Sequence, residues 1–246
     1  MADLVLFWHR RDLRIADNVG LSAARAHSSK VVGIFCLDPN ILNGDDMAPA
    51  RVTYMVGCLQ ALEQRYESAG SQLLFLKAKP EQAIPQLTRA LKATAVYWNQ
   101  DIEPYGKERD RQVTDALQQE GIAVSTFWDQ LLHAPGEILT GAGEPYTVYT
   151  PFWRNWSSKF KLAPVLTFGN AQGLTPEEHA TAIESGIMPL PTAPELGFVW
   201  DAPLIMDPGE QAAQETLDYF CHNAIAEYQE NRNFPAVPGT SLLSAP

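Results

Sequence analysis

Cysteine is scarce in this chain, with only Cys36, Cys58 and Cys221, which lie far apart. An odd and widely spaced set fits neither a disulfide framework nor the paired spacing of a zinc site. The histidines are also scattered, with no HxxxH or HExxH pattern, so no bound metal is expected. Cysteine usage of this kind indicates a protein of the reducing cytoplasm.

Basic residues are also few, since 18 lysines and arginines stand against 29 acidic residues and give a formal net charge of −11. An acidic surface repels phosphate, so broad nucleic-acid binding is excluded and any such contact must be local. No apolar run approaches the length that crosses a membrane. The first basic residues follow the first apolar run, which is the reverse of a secretory signal.

Several motifs of common enzyme classes are missing. The sequence has neither the GxGxxG fingerprint of dinucleotide-binding folds nor the GxxxxGK phosphate loop, which argues against a simple dehydrogenase and a P-loop enzyme. It also lacks GxSxG, the motif that supports a nucleophilic serine.

Five short apolar runs in the first half of the chain are typical of strands covered on both faces. They occupy residues 4–8, 31–37, 72–76, 95–98 and 122–127. The segments between them have helical spacing, at 18–27, 51–69, 80–92 and 106–119. This alternation predicts an α/β domain over residues 1–130, built on a doubly wound five-stranded parallel sheet.

The alternation stops near residue 130. Residues 131–208 are rich in proline, glycine and threonine and are interpreted as a connector ordered by the surfaces that it crosses. Its aromatic cluster, YTPFWRNW (149–156), could stack on nucleic-acid bases, but anchoring of the connector to a core is favoured. Residues 209–246 begin with an amphipathic helix, 209–229, whose apolar face needs a partner.

Polar and charged side chains follow the predicted strands at their carboxyl ends, where open α/β sheets bind ligands. Those after the second and fourth strands could converge on one crevice: Cys36, Asp38, Arg51, Asp101, Glu103 and Arg109. Carboxylates, a guanidinium group and a thiol suit hydrogen bonding to a planar ligand with polar edges. The alternative is that Asp38 and Asp101 cap the helices that follow and that the other side chains are solvated.

The loop after the first strand, in FWHRRDLRIADN (7–18), is rich in arginine and aspartate. It lies at the same edge of the sheet and could border the site or an interface between domains. The favoured alternative is that the charged side chains of the loop pair with one another and fix it in place. The residues concerned are Arg10, Arg11, Arg14, Asp12 and Asp17.

The last stretch, NRNFPAVPGTSLLSAP (231–246), places hydroxyl side chains soon after Gly239. A flexible turn followed by hydroxyl groups and backbone donors is typical of a phosphate-binding segment. The hydroxyl residues are Thr240, Ser241 and Ser244. A helix is expected to begin there, beyond the residues of this chain.

Four motifs in register make one resemblance specific: FWHRRDLR (7–14), WNQDIEPYG (98–106), YTPFWRNW (149–156) and NRNFPAVPGTS (231–241). With them the chain resembles the N-terminal half of cryptochrome/photolyase proteins, most of all class I cyclobutane pyrimidine dimer photolyases of the deazaflavin type. The similarity extends over essentially all 246 residues. It implies an α/β antenna domain (1–130), an interdomain connector (131–208) and the start of a helical FAD-binding domain (209–246).

The resemblance also implies two cofactors and a DNA contact. The antenna chromophore is implied to be 8-hydroxy-5-deazaflavin, and less so methenyltetrahydrofolate, at Cys36, Arg51, Asp101 and Arg109, with Asp38 and Glu103 close by. FAD is implied at Tyr228, Thr240, Ser241, Leu242, Leu243 and Ser244. Arg232 matches a family arginine that contacts the backbone of damaged DNA.

The function implied by the resemblance is light-driven DNA repair, in which the antenna passes energy to reduced FAD and FAD donates an electron to a flipped-out pyrimidine dimer. The lesion-pocket and electron-relay residues fall outside this chain, so no catalytic residue is assigned and the chain alone is not expected to be active. The full-length protein is expected to be a monomer. Two alternatives stay open, a cryptochrome-type photoreceptor without repair activity and a free-standing α/β module that binds a chromophore or nucleotide.

Overall fold

A six-stranded sheet forms the centre of the computed structural model, which describes residues 2–45, 47–234 and 236–243. Its strands are β1 (Leu4–His9), β2 (Lys30–Cys36), β3 (Leu73–Leu76), β4 (Ala95–Asn99), β5 (Ala123–Phe127) and β6 (Ile187–Met188). They lie in the order β5-β4-β1-β2-β3-β6, and the first five in the chain run parallel. The predicted doubly wound α/β class is confirmed.

Helices connect the parallel strands and cover both faces of the sheet. They are α1 (Val19–His27), α2 (Pro39–Leu42), α3 (Pro49–Ser68), α4 (Pro80–Ala90) and α5 (Pro104–Gln119). All but α1 begin with a proline, at a position where a helix has no use for the missing N–H. α1 begins after Asn18, whose side chain accepts a hydrogen bond from the backbone N–H of Leu21 at 3.0 Å.

Each face of the sheet packs against its own hydrophobic core. Successive residues of β1 alternate, so Trp8 lies in one core and Phe7 in the other. The first core includes Leu87 of α4 and Val113 of α5, and the second includes Leu62 of α3. Because both faces are covered, β1, β2 and β4 are buried along nearly their whole length, which explains their continuous apolar sequence.

The predicted number of strands is wrong by one. β6 pairs antiparallel with β3, with Met188 opposite Phe75 and Ile187 opposite Leu76. A strand of two residues is too short to produce a periodic signal, and it follows a turn at Gly186, where φ is 96°. Part of the predicted connector therefore extends the sheet.

Other connector residues also pack on the α/β domain. Phe168 and Leu174 are buried, one in each core. The helix α7 (Pro176–Glu184) follows, and it begins with a capping box in which Thr175 and Glu178 exchange hydrogen bonds. The second half of the connector is thus ordered by the sheet and its helices.

The aromatic side chains of α6 (Tyr149–Ser158) lie in neither core of the described chain. Trp156 packs against His133 of the connector itself, with 6.2 Å between ring centroids. Tyr149 is 73% exposed and Trp153 is 50% exposed. The favoured anchoring of this cluster to a core is therefore wrong, because the sequence shows that a helix has an aromatic face but not what covers it.

The predicted helix 209–229 is interrupted. It consists of α8 (Glu210–Tyr219), a π-helical segment (Phe220–Ala224), a 3-10 turn (Ile225–Glu227) and α9 (Tyr228–Asn231). The carboxylate of Glu210 docks α8 on the loop after β1, because it accepts hydrogen bonds from the backbone N–H groups of Ile15 at 3.1 Å and Ala16 at 2.9 Å. None of the helices in the described ranges combines enough length with enough hydropathy to span a bilayer.

Candidate functional site

The strand order places a topological switch point between β1 and β4. The chain passes from β1 to β2 and β3 on one side and then returns to β4 and β5 on the other. Ligands of open α/β sheets bind at such a point, outside the carboxyl ends of the strands. Here β1 ends at His9, β2 at Cys36 and β4 at Asn99.

A crevice of about 350 Å³ lies beside this point. Five of the six residues predicted for the antenna chromophore line it: Cys36, Asp38, Asp101, Glu103 and Arg109. Its volume is within the range of about 300–1,000 Å³ that is usual for small-molecule sites. The structure thus brings together side chains from β2, the start of α2 and the start of α5.

Cys36 and Asp38 form the β2 side of the crevice. Burial raises the pKa of the Cys36 thiol well above its ordinary value, and the nearby Asp38 charge raises it further, so the thiol is neutral. Asp38 is 3% exposed, and its carboxylate caps α2 by accepting from the N–H of Asn40 at 2.9 Å. The same carboxylate accepts from the hydroxyl of Tyr105 at 2.6 Å, which links α2 to α5.

Arg109 forms the α5 side and is 7% exposed. Its Nη2 lies 3.4 Å from Asp110 Oδ1 and 3.8 Å from Asp101 Oδ2. Its Nε is buried and has no hydrogen-bond partner among the described residues. A buried donor of this kind needs an explanation, and a ligand acceptor in the crevice would satisfy it.

Asp101 and Glu103 stand before the first turn of α5. The Asp101 carboxylate accepts from the N–H of Glu103 at 3.1 Å, and Glu103 accepts from Arg11 Nη1 at 2.9 Å. Gly106 approaches Asp101 so closely that a Cβ on it would lie 2.5 Å from the Asp101 Cγ. Asp38 thus caps α2 as predicted and also lines the crevice. The predicted capping by Asp101 is wrong, because its carboxylate accepts from the residue before α5 and the helix begins without a side-chain cap.

Arg51 is the predicted chromophore residue that lies elsewhere. It is on the first turn of α3 and lines a neighbouring groove of about 1,080 Å³, which also has Glu210 and Leu217 of α8 on its wall. Arg11, with Met47 and Met55, lines both the groove and the crevice. The two spaces therefore adjoin.

The arginines of the loop after β1 pair with acidic residues outside the loop. Arg10 donates to Asp110, Arg11 to Glu103 and Arg14 to Asp129. The favoured pairing within the loop is wrong, because the two loop aspartates bind other donors: Asp12 binds backbone and amide N–H groups, and Asp17 accepts from the N–H of Val165. Loop, strand ends and α5 are thereby fixed to one another.

Asp12 is the centre of this polar network. Its Oδ1 accepts from the N–H of Arg10 at 3.0 Å, and its Oδ2 accepts from the side-chain amides of Asn99 at 2.6 Å and Asn18 at 3.1 Å. Burial alone would raise the pKa of Asp12, but the His9 ring, the Arg10 N–H and the Arg10 charge outweigh it and lower the pKa well below its ordinary value. The carboxylate is therefore ionised in the folded protein.

Trp8 and Tyr105 are among the residues of the crevice wall that sequence reasoning missed. Tyr105 lies in the WNQDIEPYG motif, and its position at a helix start beside predicted ligands was a usable signal. Trp8 gave no such signal, because a tryptophan in an apolar strand is indistinguishable from an ordinary core residue. Both rings lie beneath or beside Arg109, whose Cζ is 4.9 Å from the Trp8 ring and 5.6 Å from the Tyr105 ring.

The residues predicted for FAD and DNA lie around the end of α9. Tyr228 is 40% exposed and packs edge-on against Phe220, with 5.8 Å between ring centroids. The Arg232 guanidinium lies 5.7 Å from the Tyr228 ring. In the turn that follows, Thr240 is exposed and Ser241 is half-buried. Leu242 has a left-handed backbone with φ of 55°, and Leu243 lines the larger groove. Ser244 lies outside the described residues.

The chain is similar to DNA photolyases in its sequence. A family model described as DNA photolyase matches residues 5–170. The chain is 55% identical over 244 residues to a "Deoxyribodipyrimidine photo-lyase" of a Synechococcus strain, a match that covers 99% of this chain and 50% of that protein. It is 54% identical over 241 residues to an "Uncharacterized 31.6 kDa protein in atpI 5'region" of another Synechococcus strain, covering 98% of this chain and 83% of that protein.

A solved structure has the same fold over nearly the whole chain. The class III photolyase of Agrobacterium tumefaciens superimposes with a TM-score of 0.83 at 29% identity, covering 99% of this chain and 50% of that one. The chain thus spans about half the length of that photolyase and of the Synechococcus photo-lyase. Because the family model matches more than half of its residues, the chain belongs to the DNA photolyase family.

Proposed function

We propose that the crevice at the carboxyl ends of β1, β2 and β4 binds a light-harvesting chromophore. The observation that carries this proposal is the buried Arg109 side chain, which lines a ligand-sized space and whose Nε has no hydrogen-bond partner among the described residues. Arg109 presents fixed planar donors, and Asp38 with Tyr105 presents a hydroxyl and a carboxylate. This set suits a flat ring system that carries carbonyl and hydroxyl groups on its edges.

The chromophore is proposed to be 8-hydroxy-5-deazaflavin rather than methenyltetrahydrofolate. The neutral thiol of Cys36 and the Arg109 guanidinium are donors for ring carbonyl groups, and Asp38 is an acceptor for a ring N–H or hydroxyl. Asp101 and Glu103, which also line the crevice, are proposed as further polar contacts of the chromophore. Arg51 is assigned to the rim, where the crevice opens into the larger groove.

FAD and DNA are proposed to bind at the C-terminal end of the chain. The hydroxyls of Thr240 and Ser241, and the backbone N–H groups of Leu242 and Leu243, suit the diphosphate of FAD, with Tyr228 and Ser244 as further contacts. Arg232 is proposed to contact a DNA phosphate. When bound, reduced FAD supplies the electron for splitting a pyrimidine dimer, and the deazaflavin supplies absorbed light energy.

The activity of the whole protein is proposed to be light-driven repair of cyclobutane pyrimidine dimers. The name of the Synechococcus relative, which is 55% identical to this chain, supports a photo-lyase rather than a photoreceptor. A cytoplasmic location fits the three free thiols, two of which are buried. We further propose that the whole protein is a monomer and has damaged DNA as its partner.

Reconstitution tests the chromophore site. The purified chain is incubated with 8-hydroxy-5-deazaflavin, methenyltetrahydrofolate or FAD, passed through gel filtration and analysed by its absorption spectrum. Retention of the deazaflavin is expected, together with its loss in Asp38→Asn and Arg109→Met. The matched controls are Asp115→Asn and Arg111→Met, which change an exposed ion pair on the outer side of α5. Equal retention by crevice variants and controls would contradict the site.

A chimera tests the activity. Residues 1–246 are joined to the remaining half of the Synechococcus photo-lyase, and illuminated DNA that contains thymine dimers is assayed for repair. Repair is expected, with an action spectrum that follows the absorption of the deazaflavin. A chimera that binds FAD and DNA but leaves the dimers intact, while the intact Synechococcus protein repairs them, would point to a photoreceptor instead.

A further inference from the structure

Trp8 has an unusual charged setting in the wall of the crevice. The side chain is 1% exposed, and the Cζ atoms of Arg10 and Arg109 each lie 4.9 Å from its ring centroid. A second indole, that of Trp98, packs edge-on against it at 5.5 Å. An electron-rich ring pair therefore lies beside the proposed chromophore, with two cations over one of its rings.

An indole beside an excited flavin-like ring normally quenches it. With a chromophore bound in the crevice, Trp8 would supply one electron to its excited state and would be left as an indole radical cation. The electron then returns, both molecules regain their starting states, and the light energy is lost as heat. A light-harvesting site with a tryptophan in its wall must keep this transfer slow compared with energy transfer.

The two guanidinium groups oppose formation of the radical cation at Trp8. They attract the neutral indole through its negative face, but they repel the same ring once it has lost an electron. Asp110, which accepts from both guanidinium groups, and Asp101, 3.8 Å from Arg109, reduce this repulsion. The two aspartates pair with the guanidinium groups, whereas the guanidinium groups themselves pack on the Trp8 ring.

We propose that the Arg10 guanidinium, which packs on Trp8 and is not among the proposed hydrogen-bond donors to the chromophore, protects the excited chromophore from quenching by Trp8. The inference rests on the proposed chromophore site. It gives Arg10, whose guanidinium pairs with Asp110, a role in light harvesting. Arg10 acts on the bound molecule through the oxidation of Trp8. It is thus a positioning and tuning residue, not a catalytic one.

Time-resolved fluorescence of the deazaflavin-loaded chain tests the inference. Arg10→Met is expected to shorten the fluorescence lifetime by about threefold or more, because one of the two repelling charges is lost. Arg10→Lys, which keeps the charge, is expected to retain most of the lifetime. In Trp8→Phe/Arg10→Met the lifetime is expected to return to the wild-type value, because the indole in the crevice wall is absent and Trp98 does not line the crevice.

The outcomes separate the inference from the proposed function. An unchanged lifetime in Arg10→Met, with chromophore bound and the same absorption maximum, would overturn the inference alone. Equal shortening in Arg10→Met and in Trp8→Phe/Arg10→Met would also overturn it, since quenching would not come from Trp8. Failure of the wild-type chain to retain any chromophore would overturn the proposed site and this inference with it. Far-ultraviolet circular dichroism checks that each variant is folded.

Discussion

Replacing Asp12 with asparagine removes the carboxylate that joins β1 to β4 at the switch point. The carboxylate accepts three hydrogen bonds, from the N–H of Arg10 and from the side-chain amides of Asn99 and Asn18. An asparagine has one acceptor oxygen. If that oxygen faces the two amides, its own NH₂ group points at the Arg10 N–H, and the opposite orientation leaves both amides without their acceptor.

The expected loss follows from this arrangement. At least one partly buried donor remains unpaired, and the other bonds lose their charge assistance, which together cost about 2–4 kcal/mol. For a chain of this size the melting temperature falls by about 2–4 °C for each kcal/mol, so a decrease of about 5–15 °C is expected. Asp3→Asn makes the same chemical change at an exposed position and serves as the control.

The pH dependence supplies an independent check on Asp12. Because the folded-state pKa of Asp12 is lowered, its stabilising effect is present above the unfolded pKa and is lost as the pH falls through the folded pKa. The difference in unfolding free energy between wild type and Asp12→Asn, measured by denaturant titration, should be largest near neutrality and shrink below about pH 4. A variant within about 0.5 kcal/mol of wild type at pH 7 would refute the network as described.

Three further results are expected. Glu210→Ala should lower the unfolding free energy by about 2–4 kcal/mol, because two backbone N–H groups lose their acceptor, whereas Glu215→Ala on the exposed side of α8 should change it little. Gly106→Ala should weaken deazaflavin binding by about tenfold through displacement of Asp101, while Gly141→Ala, which has open space around it, should not; equal affinities in a binding titration would contradict this. A thiol reagent at pH 8 should modify Cys221 rapidly and the buried Cys36 and Cys58 slowly, and Cys221→Ser should remove the fast phase.

The parallel part of the fold was predictable because its sequence signals are local. The run at 4–8 became β1 (Leu4–His9), and the helical spacing at 51–69 became α3 (Pro49–Ser68), each within two residues at its ends. β6 was not predictable, since it exists only through pairing with β3. The interruption of the helix at 209–229 likewise left no mark in its apolar spacing.

The sequence predicted most of the residues that line the candidate site, but it did not predict which charged side chains pair with one another there. Strand ends in a parallel sheet meet at one edge, so Cys36, Asp38 and Asp101 could be placed together from their positions alone. Arg51 could not be assigned to the crevice or the groove, because the direction of α3 decides this. The partners of the loop arginines were also hidden, since Arg10 and Asp110 are separated by 100 residues.

A crystal structure of the deazaflavin-loaded chain would show whether the chromophore occupies the crevice. We expect one planar ring system in the crevice between the ends of β1, β2 and β4, with a ring oxygen within hydrogen-bond distance of Arg109 Nε and polar contacts to Asp38 or Tyr105. Density for the chromophore in the larger groove between α3 and α8, with Arg109 still unpaired, would contradict it.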